Sequence, residues 1–136
     1  MHGLYDVLAL RCRVFILEQG PYLDPDGVDP VCWHLCARNA QGDLVAYLRA
    51  VDPGVKYAEP SIGRVVTAPQ VRGTGLGRLL MHEGLARCTR QWPGQTLRIS
   101  AQSRLRRFYE TLGFEAASQD YLEDDIPHLQ MTRRPT

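Results

Sequence analysis

Apolar residues near the start of the chain recur at helical spacing. Leu4, Val7, Leu8 and Phe15, with Arg11 among them, predict an amphipathic helix over residues 4–17 that stops at Gln19, Gly20 and Pro21. After a polar, turn-rich stretch the period becomes extended. Residues 32–38 and 44–51 read as a hairpin joined through residues 39–43, and residues 61–67 as a third, β-branched strand. Spacings of three and four return in Leu76, Leu79, Leu80, Met81, Leu85, Cys88 and Trp92, which predicts a helix of about fifteen residues closed by Pro93 and Gly94. Residues 97–101 form a fourth strand. Leu105, Phe108, Tyr109 and Leu112 predict a second amphipathic helix over residues 104–112 with Gly113 just past its end, and short strands follow near 114–121 and 127–133.

The order is helix, hairpin, strand–helix–strand, helix, hairpin. A strand–helix–strand unit crosses over right-handedly, so its two strands are expected to run parallel, while the hairpins make the sheet mixed. The fold class is α/β, in the sense of an α+β mixed sheet.

Composition narrows this picture. A chain of 136 residues makes one domain, 1–136, large enough to fold without a disulfide or metal. A formal charge of +1 argues against a nucleic-acid partner, which would call for a basic face. No apolar run is long enough for a membrane span and no secretory signal opens the chain, so a cytoplasmic protein with reduced thiols and no membrane partner is expected. Cys32, His34 and Cys36 alternate along one predicted strand, but a structural zinc site needs a fourth ligand. The expectation is buried strand cysteines and no metal.

The candidate chemistry begins at the turn after the third strand, Arg72-Gly73-Thr74-Gly75-Leu76-Gly77-Arg78. Backbone N–H groups at a helix start lack partners, the helix dipole adds positive charge there, and phosphate oxygens satisfy both. Gly73, Gly75 and Gly77 remove the Cβ atoms that would hold a diphosphate off the backbone, and Arg72 and Arg78 add charge at the rim. A nucleoside-triphosphate loop would need Lys and Ser or Thr after the last glycine, where Arg78 and Leu79 stand. A dinucleotide loop would need a different glycine spacing and a later acid.

This loop resembles the acyl-CoA loop of the GNAT acetyltransferase superfamily, Gln/Arg-x-x-Gly-x-Gly/Ala, and Phe108-Tyr109-Glu110-Thr111-Leu112-Gly113-Phe114 resembles the family's second block. The resemblance covers residues 62–115 most clearly. Leu10-Arg11-Cys12-Arg13-Val14-Phe15-Ile16-Leu17-Glu18-Gln19, Ala101-Gln102 and Ile126-Pro127-His128 resemble the ElaA-like branch. It implies a mostly antiparallel sheet with a parallel, splayed central strand pair. Members usually begin with a strand before the first helix. Here that strand is expected to be missing or supplied by another chain, which leaves an edge open and a homodimer possible.

The resemblance also implies direct acetyl transfer from acetyl-CoA to an amine, on a small molecule or an exposed amino group. Val65, Val66 and Thr67 match the positions whose backbone receives the pantetheine arm and the oxyanion. Tyr109 matches the acid that protonates the leaving thiolate, and Gln102 matches a position that contacts the cofactor. The base is open: His34, His128, Glu18 and Asp29 are candidates for base or substrate contact, and a water chain would also serve. Asp24, Asp26 and Asp29 echo a calcium loop without its order and read better as an acidic substrate lip. With Glu123, Asp124 and Asp125 they point to a cationic acceptor. Arg104, Arg106 and Arg107 either meet the 3′-phosphate of CoA or form a solvated helix face. A CoA-binding module without catalysis is the alternative, and an acyl-homoserine-lactone synthase fits less well because the glycine loop is intact.

Overall fold

The computed structural model describes residues 2–16 and 26–135. The predicted helix stop at residues 19–21, Glu18 and Asp24 lie outside them.

Helix α1, His2–Arg11, runs into a wider π-type turn, Cys12–Ile16. Val7, Leu10, Arg11 and Val14 recur at three and four and are buried with Phe15, whereas Leu4 is exposed. The strands that follow are β1 (Trp33–Arg38), β2 (Leu44–Val51) and β3 (Ser61–Thr67), paired antiparallel in the order β1-β2-β3. Every residue of β2 is buried, because the sheet is covered on both faces. Val45 and Tyr47 pack with α1, while Ala46, Leu48 and Ala50, pointing the other way, join the larger core cluster. No strand precedes α1 among the described residues, and β1 pairs with β2 alone.

The larger cluster is built on α2, Leu76–Gln91, through Leu80, Met81, Leu85 and Cys88. Each such aliphatic side chain stabilises the fold by about 2 kcal/mol on leaving water. Leu79, expected on the apolar face, is 67% exposed, and Gly84 takes a core place instead. A Cβ on Gly84 would lie 2.8 Å from Leu48 Cδ2, so the missing side chain sets how closely α2 approaches β2.

A second sheet contains β4 (Leu97–Gln102), β7 (Ile126–Arg133) and β5 (Phe114–Ala116) in the order β4-β7-β5, with β6 (Tyr121–Glu123) also on β7. The single strand expected near 114–121 is two. Ala116 ends one ladder and Tyr121 begins the other, and β6 and β7 meet through a two-residue turn in which Asp124 and Asp125 have φ of 52° and 60°. A short 3₁₀ turn, Ser103–Leu105, leads into α3, Arg106–Glu110, within the predicted span 104–112.

All the strand ladders are antiparallel. The strands β3 and β4 lie side by side in one direction. Arg98 N–H donates to the Pro60 carbonyl at 3.0 Å where both begin, and no ladder joins them further along among the described residues. Their far ends diverge around a groove, as the splayed central pair requires.

Candidate active site

The groove between the diverging strands is lined by Val14, Phe15, Val65, Val66, Thr67, Arg72, Gly77, Gln102, Arg104, Leu105, Phe108 and Tyr109. A second arm, continuous with it through Phe15, Val65, Gln102, Leu105 and Tyr109, reaches Arg64, Ser100, Glu123, Asp124 and His128. Folding therefore gathers Val65, Val66, Thr67, Arg72, Gly77, Gln102, Tyr109 and His128 into one connected space. Val14 and Phe15 were not foreseen there. Their apolar character signalled core, and only the packing of the π-type turn shows that they also wall the groove.

One end is the glycine loop. Pro69–Val71 makes a 3₁₀ turn, after which Gly73 and Gly75 adopt φ of 79° and 86°, a region that a side chain makes strained. Gly75 is the residue before α2. The Thr74 hydroxyl donates to the Val71 carbonyl, and Leu76 N–H donates to Thr74 Oγ1 at 3.4 Å. The N–H groups of Gly75, Gly77 and Arg78 have no acceptor among the described residues. Arg72 Nη2 donates to the Thr67 carbonyl at 3.3 Å. Arg78 lies over the Phe108 ring at 5.3 Å and donates to Thr111 Oγ1 at 3.1 Å, so this arginine is docked on α3. Arg104 lines the groove and donates from Nε to Gln102 Oε1 at 2.9 Å, whereas Arg106 pairs with Glu110 on the helix surface.

At the middle of the groove β3 is irregular. Tyr47 pairs with Val66 but Arg49 pairs with Gly63, so Leu48 faces both Arg64 and Val65. Arg64 has φ of 49°, an unusual conformation outside glycine. This bulge withdraws the backbone at residues 64–65 from the β2 ladder beside the groove that both residues line. Opposite sits Tyr109, buried and held edge-on between Phe108 and Phe114. Burial pushes its phenol up to about 12, so it stays protonated well beyond neutral pH.

The candidates for the acceptor side separate. His128 is in the second arm. His34 is not: its Nδ1 accepts from the Tyr47 hydroxyl and its Nε2–H meets the Asp29 carbonyl at 3.1 Å. It borders a different hollow, between β1 and the end of α2. With both ring nitrogens committed, it holds β1 to its neighbours. Asp29 is likewise taken up, bonded by Arg11 at 2.7 Å and Arg49 at 3.0 Å. Asp26 is paired with Arg49, Lys56 and Arg64. The acidic lip expected at these residues is thus a neutralised internal cluster, since buried arginines on α1 and β2 need these carboxylates. Cys32 is half-buried and Cys36 exposed, against the expectation of buried strand cysteines, because their face of β1 is not fully covered by the described residues. No group of three or more potential metal ligands occurs among the described residues, and no described helix is long and apolar enough to cross a membrane.

Comparison with known proteins agrees with this geometry. A family model described as an acetyltransferase (GNAT) domain matches residues 33–135. A UPF0039 protein of Synechocystis is 42% identical over 133 residues, covering 97% of this chain and 86% of the relative. Among solved structures, an acyl-CoA N-acyltransferase from Pseudomonas aeruginosa superposes with a TM-score of 0.90 at 44% identity, over 96% of this chain and 89% of that one. Escherichia coli ElaA gives a TM-score of 0.89 at 37% identity with the same coverage. With family model, sequence relatives and backbone all in agreement, the chain belongs to the GNAT acetyltransferases, in the group that includes ElaA.

Proposed function

We propose that the protein transfers the acetyl group of acetyl-CoA to an amine, with both substrates bound together in the two-armed groove. The observation that carries this reading is the convergence of the glycine loop, the β3 bulge and Tyr109 on one connected space. The residues fit the cosubstrate. Gly73 and Gly75 open the backbone at the start of α2, and the N–H groups of Gly75, Gly77 and Arg78, which have no acceptor among the described residues, are suited to a diphosphate. Arg72 and Arg104 supply positive charge along the same groove. Val65, Val66 and Thr67 lie on the splayed side of β3, where backbone groups released from pairing with β4 can bond an extended amide-bearing arm in the manner of an added strand.

Acetyl-CoA supplies an activated acyl carbon and a thiol leaving group. The N–H beside the bulge at residues 64–65 is the candidate donor for the negative charge that develops on the carbonyl oxygen. Tyr109 donates its proton to the departing sulfur. The apolar wall of Phe108, Phe114 and Leu105 that keeps the phenol protonated also disfavours a free thiolate, so donor and acceptor are raised together. Gln102, held by Arg104, is an amide contact on the opposite wall.

The test is binding followed by turnover. Acetyl-CoA raises the melting temperature of the native protein, and Gly75→Asp, which puts a carboxylate where the diphosphate belongs, removes the shift. Absence of any shift with the native protein at millimolar acetyl-CoA rejects the reading.

A further inference from the structure

The second arm of the groove ends in polar side chains that neither the glycine loop nor Tyr109 uses. His128 of β7 is 7% exposed and stacks on Tyr121, with ring centroids 6.4 Å apart. Its Nδ1 lies 2.7 Å from the Ile126 carbonyl. A carbonyl only accepts, so this bond assigns the hydrogen of the neutral ring to Nδ1 and the lone pair to Nε2. Nε2 faces Glu123 Oε2 at 3.4 Å. Glu123 Oε1 accepts from Ser100 Oγ at 3.3 Å, and the Ser100 hydroxyl also bonds the Tyr121 hydroxyl. Among the described residues the one hydroxyl donor to Glu123, Ser100, thus reaches a single oxygen of the carboxylate. Its other oxygen and Nε2 are two acceptors turned toward each other, with no donor supplied to either among the described residues.

Two acceptors facing each other at the end of a substrate cleft are unfavourable until a proton donor lies between them. The neighbouring groups sharpen the charge. Asp124 lines the same arm, and the cation facing it from β3, Arg64, is paired with Asp26. Tyr109 faces from α3 and Tyr121 from β6. The arm is therefore built for a small cation with several N–H donors.

We propose that His128 and Glu123 receive the acceptor as a primary alkylammonium group, and that His128 Nε2 removes its proton. The inference rests on the acetyl-transfer reading above. One N–H bond of the ammonium breaks and its proton bonds to Nε2, while Glu123 stabilises the imidazolium. The nitrogen lone pair forms a bond to the thioester carbonyl carbon. The carbon–sulfur bond breaks with its electron pair on sulfur, which takes the Tyr109 proton, and the adduct nitrogen returns a proton to the phenolate. The products are an N-alkylacetamide, CoA thiol and one proton released to water from His128. Ser100 and Tyr121 are positioning residues, acting through Glu123.

The experiment uses the whole chain with acetyl-CoA and two probes, propylamine and aniline, followed by thiol release. The ammonium probe needs a base at neutral pH, whereas the nitrogen of aniline is already neutral. Propylamine is expected to be acetylated. Glu123→Gln raises its KM about tenfold, the loss of one charge-assisted hydrogen bond. His128→Gln lowers its kcat about a hundredfold and gives a rate that recovers as pH rises toward the amine's own pKa near 10.4. Any turnover of aniline is changed far less by His128→Gln. A structural role for His128 would not produce that recovery. As a readout independent of turnover and of variants, propylammonium shifts the imidazole nitrogen resonances of His128 in the native protein. Unmoved resonances, or variants matching the native protein in KM and pH profile while acetyl-CoA still raises the melting temperature, overturn this proposal and leave acetyl transfer standing. Failure of acetyl-CoA to bind the native protein overturns both.

Discussion

Arg49 and Asp26 form a two-pronged salt bridge, Nη1 to Oδ1 at 2.9 Å and Nη2 to Oδ2 at 2.6 Å. Arg49 is 1% exposed and also reaches Asp29, which Arg11 of α1 shares, so five segments meet at two carboxylates: α1, residues 26–29, β2, the loop that carries Lys56 and, through Arg64, the bulge of β3. The cluster ties the helix whose continuation walls the groove to the strand that carries the candidate oxyanion donor.

Breaking this pair is expected to be costly. Arg49→Met takes from Asp26 its two-pronged partner and from Asp29 one of its two buried arginines, and should destabilise the fold by about 3 kcal/mol, read by urea denaturation. The Arg49 hydrogen bonds hold the Asp26 carboxyl well below its usual range, and the Arg11 and Arg49 bonds hold Asp29 down against the opposing effect of burial. Both folded-state values lie below the unfolded ones, so the stabilisation is complete above the unfolded carboxylate pKa near 3.9 and lost as pH falls further. The acid limb of the melting-temperature profile should flatten in Asp26→Asn, and an unchanged limb would remove Asp26 from this account.

The contact of Gly84 with Leu48 predicts a specific coupling. Gly84→Ala would gain helix propensity of about 1 kcal/mol, yet its Cβ would lie 2.8 Å from Leu48 Cδ2 and force that buried side chain to shift, which should cost about 1–3 kcal/mol. The variant is expected to be less stable than the native protein. Combining it with Leu48→Ala should destabilise by less than the sum of the two single changes, measured in a double-mutant denaturation cycle.

Tyr109→Phe tests the proton donor. The kcat should fall about a hundredfold with little change in KM, the scale of one general-acid contribution. Because burial raises the phenol to about 12 while an unfolded tyrosine titrates near 10, the unfolded chain loses its proton first as pH rises. Stability therefore falls between those two values, and Tyr109→Phe should soften that alkaline loss. A pH–rate profile with a Tyr109-dependent fall near neutrality would contradict the assignment.

The thiols should divide by location. Cys12 and Cys36 are exposed and should alkylate in the native protein. Cys88 is buried on the core face of α2, where burial pushes its thiol up to about 11, so it should label only on unfolding, read by mass spectrometry with iodoacetamide.

Most elements were legible because each depends on local patterning. The spacing over residues 76–92 found α2, the β-branched run found β3, and the turn residues 39–43 between two extended runs found β1 and β2. Errors fell where a neighbour decided. Leu79 has the spacing of a core residue yet is exposed, and Gly84, which a propensity argument would discount, is buried because α2 must come close to Leu48. The strand expected near 114–121 divides because both pieces pair with β7, a choice made by a distant partner.

The sequence by itself determined the strand–loop–helix order and the glycines of the 72–77 loop, because a turn of positive φ beside a helix start is written in a few consecutive residues. Tertiary structure alone decided which charged side chains are available. Asp26 and Asp29 look like a cation-binding lip in one dimension and are spent on Arg11 and Arg49 in three. Glu123 and His128, five positions apart, stand out separately in the sequence as an acid and a histidine, and become facing acceptors because the β6–β7 turn brings them across one hairpin. Charge in a sequence is a count, whereas its chemistry depends on distance and burial, which only the packed chain supplies.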